Sequence, residues 1–293
     1  MKKNHLTLAL IIIFTLSHGA ERMLPSIFNT TATPVDRIIF ISKGLLNHPY
    51  EEFISGEGAH GDIVTKPIWN LTKFDCMTYV ETVLALSLAR SQSEFNTIIK
   101  DIKYKSKPYT FFNRNHFTNV DWNHNNQKKL YLKDITKSIA GNKTASQSTI
   151  IDKPSWYQAL ATNSDLWQKY SGQKLNTESA KKLKSLAKEA QSTKSVISYI
   201  PISEIINTNG DILEKLPTIS IVEFVRQNWD TKVLGTDLDI SHIGFLIKKD
   251  KKIVLRHASQ EEKITVDVDF LSYLKNHNDK SLVGVNIQKI NLY

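Results

Sequence analysis

A single thiol and a pair of imidazoles are the side chains of this chain best placed, by type and spacing, to do covalent chemistry together. Cys76 is the one cysteine in the sequence. It follows Phe74-Asp75 and opens the strongest helical pattern, which runs from Asp75 to Arg90 with Val80, Val83, Leu84, Leu86 and Leu88 and no Gly or Pro. A helix N-terminus carries partial positive charge and unpaired N–H groups. Both favour a thiolate over a thiol. The same N–H groups can hold an oxyanion, as acyl transfer requires. A lone cysteine in general reads as a small buried hydrophobe. Its place in the first turn, rather than inside the helix, is what points to reactivity.

A thiol nucleophile needs a base that takes its proton and returns it to the leaving amine, which histidine does near neutral pH. Two of the nine histidines stand in β-hairpin context, His242 in Ser241-His242-Ile243-Gly244-Phe245 and His257 in Leu255-Arg256-His257-Ala258-Ser259. One begins a strand and the other ends the next, so a tight hairpin brings both to one end of a sheet. One imidazole can then face the thiol while the other orients it, the nucleophile–base–orienter arrangement of a triad.

The elements that must position these residues are legible in outline. Asp36–Leu46 and Ser93–Ile102 read as helices around the one that starts at Cys76. Residues 47–68 are turn-rich and include a formal G-x-G-x-x-G from Gly56 to Gly61. No strand precedes it and no helix follows, so it reads as a loop and not as a nucleotide fingerprint. Tyr109–Gln127 is dense in aromatic, Asn and His residues, the composition of a shaped contact loop. Asp134–Lys153 is polar and weakly patterned, and Ser155–Lys194 reads as helical with a lysine-rich, solvated end. The last third is strand-rich: Val196–Ile200, Thr218–Arg226, Ser241–Lys248, Lys252–Ala258 and Ile264–Val268, then a helical turn at Phe270–Asn276 and a strand at Leu282–Ile290. A helix-led front half and an antiparallel back half predict an α+β domain.

The combination of Phe74-Asp75-Cys76, Ser241-His242-Ile243-Gly244 and Arg256-His257-Ala258-Ser259 resembles the NlpC-type papain-like cell-wall hydrolases. Within them it is similar to the N-acetylmuramoyl-L-alanine amidase-like branch, through Phe74-Asp75-Cys76-Met77-Thr78-Tyr79-Val80-Glu81 and through Arg114-Asn115-His116-Phe117 followed by Asp121-Trp122. The resemblance runs from about Tyr50 to the C-terminus. It implies a papain-like core, with the Cys at a helix N-terminus packed on an antiparallel sheet. It assigns Cys76 as nucleophile, His242 as base and His257 as the orienting residue, with Tyr50 beside the thiol. The implied reaction is hydrolysis of the amide between N-acetylmuramic acid and L-alanine in muropeptides. His116, Asp121 and Trp122 are then candidates for holding sugar or peptide, or else the core of a structural loop. Arg256 is a candidate for a stem-peptide carboxylate, or a surface strand residue. Residues 123–194 match no pattern of the family and read as a helical accessory insertion in a single catalytic domain, 21–293. No cofactor and no metal are called for.

Lys2 and Lys3, the apolar run Leu6–Leu16 and the small residues Ser17, Gly19 and Ala20 describe a secretory signal peptide over residues 1–20. Periplasmic or secreted location follows, without stable membrane insertion once that leader is removed. Its removal takes the net charge from +9 to +7. A basic exported chain suits an anionic wall. Nucleic acid is not expected as a partner, since the lysines are scattered and no recognition motif is present. Three other readings stand beside the amidase. A zinc enzyme could draw on His116, His242 and His257, though no H-E-x-x-H is present and chelators would reveal it. An endopeptidase of the same fold would cut inside the stem peptide. A non-catalytic wall-binding protein would bind without turnover.

Overall fold

Capping chemistry fixes the front helices locally. Helix α1 (Pro34–Gly44) opens on Thr33, whose side chain accepts the Asp36 N–H, with Pro34 in the first turn. Helix α2 (Cys76–Leu88) opens on Asp75. The Asp75 carboxylate accepts the Thr78 N–H at 2.7 Å and the Thr78 hydroxyl accepts the Asp75 N–H at 2.9 Å, a reciprocal capping box. Cys76 is thereby pinned as the first helical residue. Helix α3 (Gln92–Lys103) is capped by Ser91. Ser91 stands three residues before Glu94, whose N–H it accepts at 3.1 Å.

The computed structural model describes residues 27–28, 32–250, 252–277 and 279–291. The expected leader, residues 1–20, lies outside them. Among the described residues, no helix is long and apolar enough to cross a membrane.

After a π-helical turn at Thr118–Asn123 come α4 (His124–Lys128), β1 (Leu132–Asp134), α5 (Thr136–Ala140) and β2 (Ala145–Ile151). Three helices follow, α6 (Lys153–Thr162), α7 (Ser164–Ser171) and α8 (Thr177–Glu189). The chain continues through β3 (Thr193–Pro201), α9 (Ile202–Asn207), β4 (Ile219–Arg226), β5 (Ile240–Lys249) and β6 (Lys252–Ser259). It closes with β7 (Ile264–Asp269), α10 (Phe270–Asn276) and β8 (Leu282–Ile290). The strands lie in the order β2-β3-β8-β4-β5-β6-β7, with β1 also on β8, and every pairing is antiparallel. The α+β expectation therefore holds. The stretch 134–153, read as polar and weakly patterned, supplies α5 and β2, and β2 is an edge strand of the sheet. Its Gln147, Ser148 and Thr149 alternate too weakly in polarity to show as a strand.

β4 is buried on both faces, so its alternating side chains enter two cores. Ile219 and Ile221 face α1, α2 and α3, together with Ile243, Phe245 and Ala258. Val222 and Phe224 face α9 and α10, with Leu246, Leu255, Phe270 and Leu274. A third, aromatic cluster joins α6–α8 to the 111–117 segment through Phe111, Phe117, Trp156, Tyr157 and Trp167.

Arg37 locks α1 to the C-terminus of α2. Its guanidinium is 1% exposed and donates to the carbonyls of Ile27 (2.7 Å), Ser87 (2.8 Å) and Leu86 (3.0 Å), and to that of Ala89. The carbonyls of Leu86, Ser87 and Ala89 at the end of α2 would otherwise lack an intrahelical partner, and a cation there interacts favourably with the helix dipole. Replacing Arg37 by Met is expected to cost about 2–4 kcal/mol. Urea denaturation followed by circular dichroism checks it, and an unchanged midpoint would remove Arg37 from this role.

Candidate active site

The hairpin β5–β6 builds the imidazole pair. Phe245 pairs with Arg256 in the ladder, so the register carries Gly244 to His257. A Cβ on Gly244 would come within 2.9 Å of the His257 Cβ. Glycine there leaves the space in which His242, two residues back on the same face, reaches diagonally to His257. Their contact, His242 Nε2 to His257 Nδ1, is 2.7 Å with the rings nearly perpendicular. It leaves Nδ1 of His242 as the nitrogen free to act as a base. For that role Nε2 must carry the proton and donate to His257, which places the His257 proton on its own Nε2. That atom is buried and has no acceptor.

α2 packs against β5 and brings Cys76 to the same place. Cys76 and His242 line one cleft of about 480 Å³, together with Tyr50. Tyr50 is held there by a parallel bridge to Phe74 and by its N–H donating to the Lys263 carbonyl at 2.8 Å. Burial, and then the nearby Cys76 and Asp75, push its phenol well above the usual range. It stays a hydrogen-bond donor.

Burial pushes the Cys76 thiol up to about 12, and the Asp75 charge adds to that. The N–H groups of Ile243, Met77 and Cys76 act in the opposite sense without prevailing. The helix N-terminus was expected to favour the thiolate. Desolvation and the capping carboxylate outweigh it, because the residue that caps the helix is itself an anion next to the sulfur. The imidazoles move the other way. Burial, then His257 and His277, hold His242 well below its ordinary value. Burial, then His277, bring His257 down to about 4 against the pull of Asp267. The resting pair is therefore neutral thiol and neutral imidazole.

The other residues singled out in the sequence fall in different places. His116 lines the cleft, but both ring nitrogens are taken, Nδ1 by the Tyr170 hydroxyl at 3.0 Å and Nε2 by the Phe111 carbonyl at 2.6 Å. It props the wall against Trp156 and Phe111 rather than presenting a polar atom to a ligand. Asp121 is held by Lys153 at 2.5 Å and accepts the Phe117 N–H, and it does not line the cleft. Trp122 is fully buried in the core. The π-helical turn directs both away from the cleft. Arg256 forms a two-point ion pair with Asp267 at 2.6 and 2.7 Å, and is neither a surface residue nor open to a carboxylate ligand.

Sequence reasoning missed the charged end of the cleft and most of its walls. Lys103 and Glu81 form a buried pair at 2.5 Å, and Lys103 also donates to the Ser55 hydroxyl at 3.0 Å. Arg114 reaches the Ser55 carbonyl, the Ser55 hydroxyl and, at 3.4 Å, Glu57. Phe53, Trp156, Tyr170 and Trp229 form the aromatic walls. One signal was available, Glu81 standing on the apolar face of the best helix, where an acid requires a buried partner. Among the described residues, no group of three or more His, Cys, Asp or Glu side chains is arranged to hold a metal ion.

With this geometry in view, residues 40–283 match the family described as AmiA-like, N-acetylmuramoyl-L-alanine amidase-like. The chain belongs to that family. It is similar to a solved Legionella pneumophila str. Philadelphia 1 protein of the family DUF1460, at 32% identity and TM-score 0.81 over 94% of this chain and 97% of that one. It shares a fold with a Bacteroides uniformis N-acetylmuramoyl-L-alanine amidase, at 20% identity and TM-score 0.59 over 88% of this chain and 99% of that one. A comparison with curated proteins finds no match.

The electrostatics of this AmiA-like site give a pH profile. If His242 acts as the base, as the resemblance implies, it must be neutral, and burial holds its pKa well below the ordinary value of 6.5. With the thiol at about 12, no descending limb falls in the neutral range. The expected kcat/KM rises through one acidic limb, is level by about pH 6.5 and stays level to about pH 10. Measurement across that range checks it, and a descending limb near about pH 8 would mean that another protonation state reacts.

Proposed function

We propose that the chain is an exported, cysteine-dependent N-acetylmuramoyl-L-alanine amidase built on a papain-like, NlpC-type core. The observation that carries this reading is the 2.7 Å His242–His257 contact at the cleft that Cys76 opens into, at the N-terminus of a capped helix. Family membership supplies the substrate class. The basic leader pattern of residues 1–20 and the net positive charge support export toward an anionic wall.

In this mechanism His242 Nδ1 takes the proton from Cys76 as Sγ attacks the carbonyl carbon of the lactyl group. The S–C bond forms and the carbonyl electrons move to oxygen. The N–H of Cys76 and the Tyr50 hydroxyl steady that oxyanion, a contribution of about 10²–10³ in rate for one such donor. As the C–N bond breaks, His242 returns its proton to the alanine nitrogen, and the peptide leaves as an amine. Water, deprotonated by His242, then cleaves the thioester and restores the thiol. His257 accepts from His242 Nε2 throughout. It holds the ring in one tautomer and disperses the charge of the imidazolium, the part an orienting residue plays in a triad.

Mass spectrometry of muropeptides incubated with the protein tests this. Free stem peptide beginning with L-alanine is expected, lost by at least about 10⁴-fold with Cys76→Ala and by about 10²–10⁴-fold with His257→Ala. Cleavage inside the stem would move the reading to an endopeptidase. Binding of fragments without any cleavage would leave a wall-binding protein.

A further inference from the structure

Two clefts meet at His242. The first holds Cys76, Asp75 and Tyr50. The second, of about 720 Å³, is lined by His257, Arg226, Tyr273, Asn276 and His277 and includes neither Cys76 nor Tyr50. Trp229, Ser241, His242 and Gln260 belong to both, so they form the ridge between them.

The chemistry of acyl transfer assigns the two sides. The acyl carbon must bond to Sγ, so the acyl part of the substrate lies over Cys76. The departing nitrogen must take a proton from His242, so the amine part leaves on the imidazole side. Resting on the amidase reading, we propose that the first cleft binds the sugar acid and the second binds the stem peptide, with the scissile amide crossing the ridge at His242.

The lining of each cleft fits its ligand. The first is mainly apolar, walled by Phe53, Trp156 and Tyr170, flat surfaces on which the apolar faces of a hexose ring can rest. The second is as polar as it is apolar. Its acids are already paired, Asp279 to Arg226 at 2.6 Å and Glu261 to His277 at 2.8 Å. Its unmet need is for acceptors. The Arg226 side chain and the exposed Asn276 amide on the rim supply N–H donors there. A peptide brings carbonyl and carboxylate oxygens to such a place, whereas a cationic or purely apolar ligand brings none. Trp229 stands at the crossing with the Arg226 guanidinium 5.3 Å from its ring, a platform for the chain on either side of the amide.

The test uses Cys76→Ala protein, which binds without turning over. N-acetylmuramic acid and L-alanyl-D-glutamate are titrated separately and together, followed by NMR shifts. Both are expected to bind at once, each with a Kd within about threefold of its value alone. Asn276 is exposed on the rim of the second cleft, so Asn276→Trp narrows that cleft without entering the core. It is expected to weaken the peptide by about tenfold or more and to leave the sugar acid within about twofold, which also reports that the variant is folded. Mutual exclusion of the two ligands, or peptide binding unchanged in Asn276→Trp, would overturn the proposal. If the muropeptide products instead place the cut inside the stem, the amidase reading fails by itself. The same titration with the true acyl and amine products then decides the two clefts.

Discussion

The hydrogen bond between His242 and His257 is the constraint on which the rest of the site depends. Two imidazoles at 2.7 Å, His257 buried and His242 half-buried, can share one proton favourably in only one direction at a time. The direction that frees His242 Nδ1 for the thiol leaves His257 Nε2 without an acceptor inside the fold. The sheet meets the steric side of this arrangement with Gly244, the position where a side chain would collide with His257. The far side of the hairpin is tied down by the Arg256–Asp267 pair and by Arg256 donating to Ser42 of α1 at 2.9 Å. The same strand that presents His257 thus anchors the helical layer, and through Arg37 that layer holds the end of α2 whose other end carries Cys76. Cys76 and His242 come from distant parts of the chain, and these two arginines link the frames that carry them.

The cleft around them is rigid for a different reason. Glu81 sits one and a half turns along the nucleophile helix and would be a costly buried charge by itself. Lys103, the last residue of α3, meets it at 2.5 Å and is itself held by Ser55. Arg114 then reaches Ser55 and Glu57 from the next loop. A buried ion pair contributes little net stability against apolar side chains of equal size, but losing one member of it is severe. Such a set fixes which loop faces which helix. Here it fixes the loop of residues 51–57 and the Arg114 segment against α2, and so shapes the floor beneath Cys76.

These arrangements were unequally legible in the sequence. Helix α2 could be read because its cap, its apolar period and its lack of breakers agree, and the hairpin because two short β-rich runs flank a charged turn. Both are local signals. The walls could not be read, because Trp156, Tyr170 and Trp229 lie far from Cys76 in sequence and their spacing carries no period tied to it. β2 was invisible for a related reason. It is an edge strand whose pattern of Ser, Gln and Thr reflects one weakly buried face, and only pairing with β3 makes it a strand. His116, Asp121 and Trp122 show the opposite error. Composition marked their loop as a contact surface, yet the π-helical turn spends Trp122 on the interior and Asp121 on Lys153, and His116 just before it is spent on Tyr170. Polar and aromatic richness marks a shaped loop without saying which way its side chains face.

The neutral resting pair gives the site a consistent logic. A thiolate formed by a helix N-terminus alone would be permanently nucleophilic and, in an oxidising compartment, the first group to be lost, since oxidation follows thiolate character and access. Asp75 caps the helix in a way that fixes Cys76 in place while opposing ionisation of its sulfur. Burial raises the thiol and lowers His242, so both rest uncharged. On the proposed mechanism, charge appears on the imidazolium and the oxyanion together, once a carbonyl stands over the sulfur. The groups that meet it, His257 at one end and the backbone N–H groups at the head of α2 at the other, are already in position, so little reorganisation is needed as the reaction proceeds. Capping, burial and the histidine pair can each be explained as structure; on the proposed mechanism they together keep reactivity dependent on substrate.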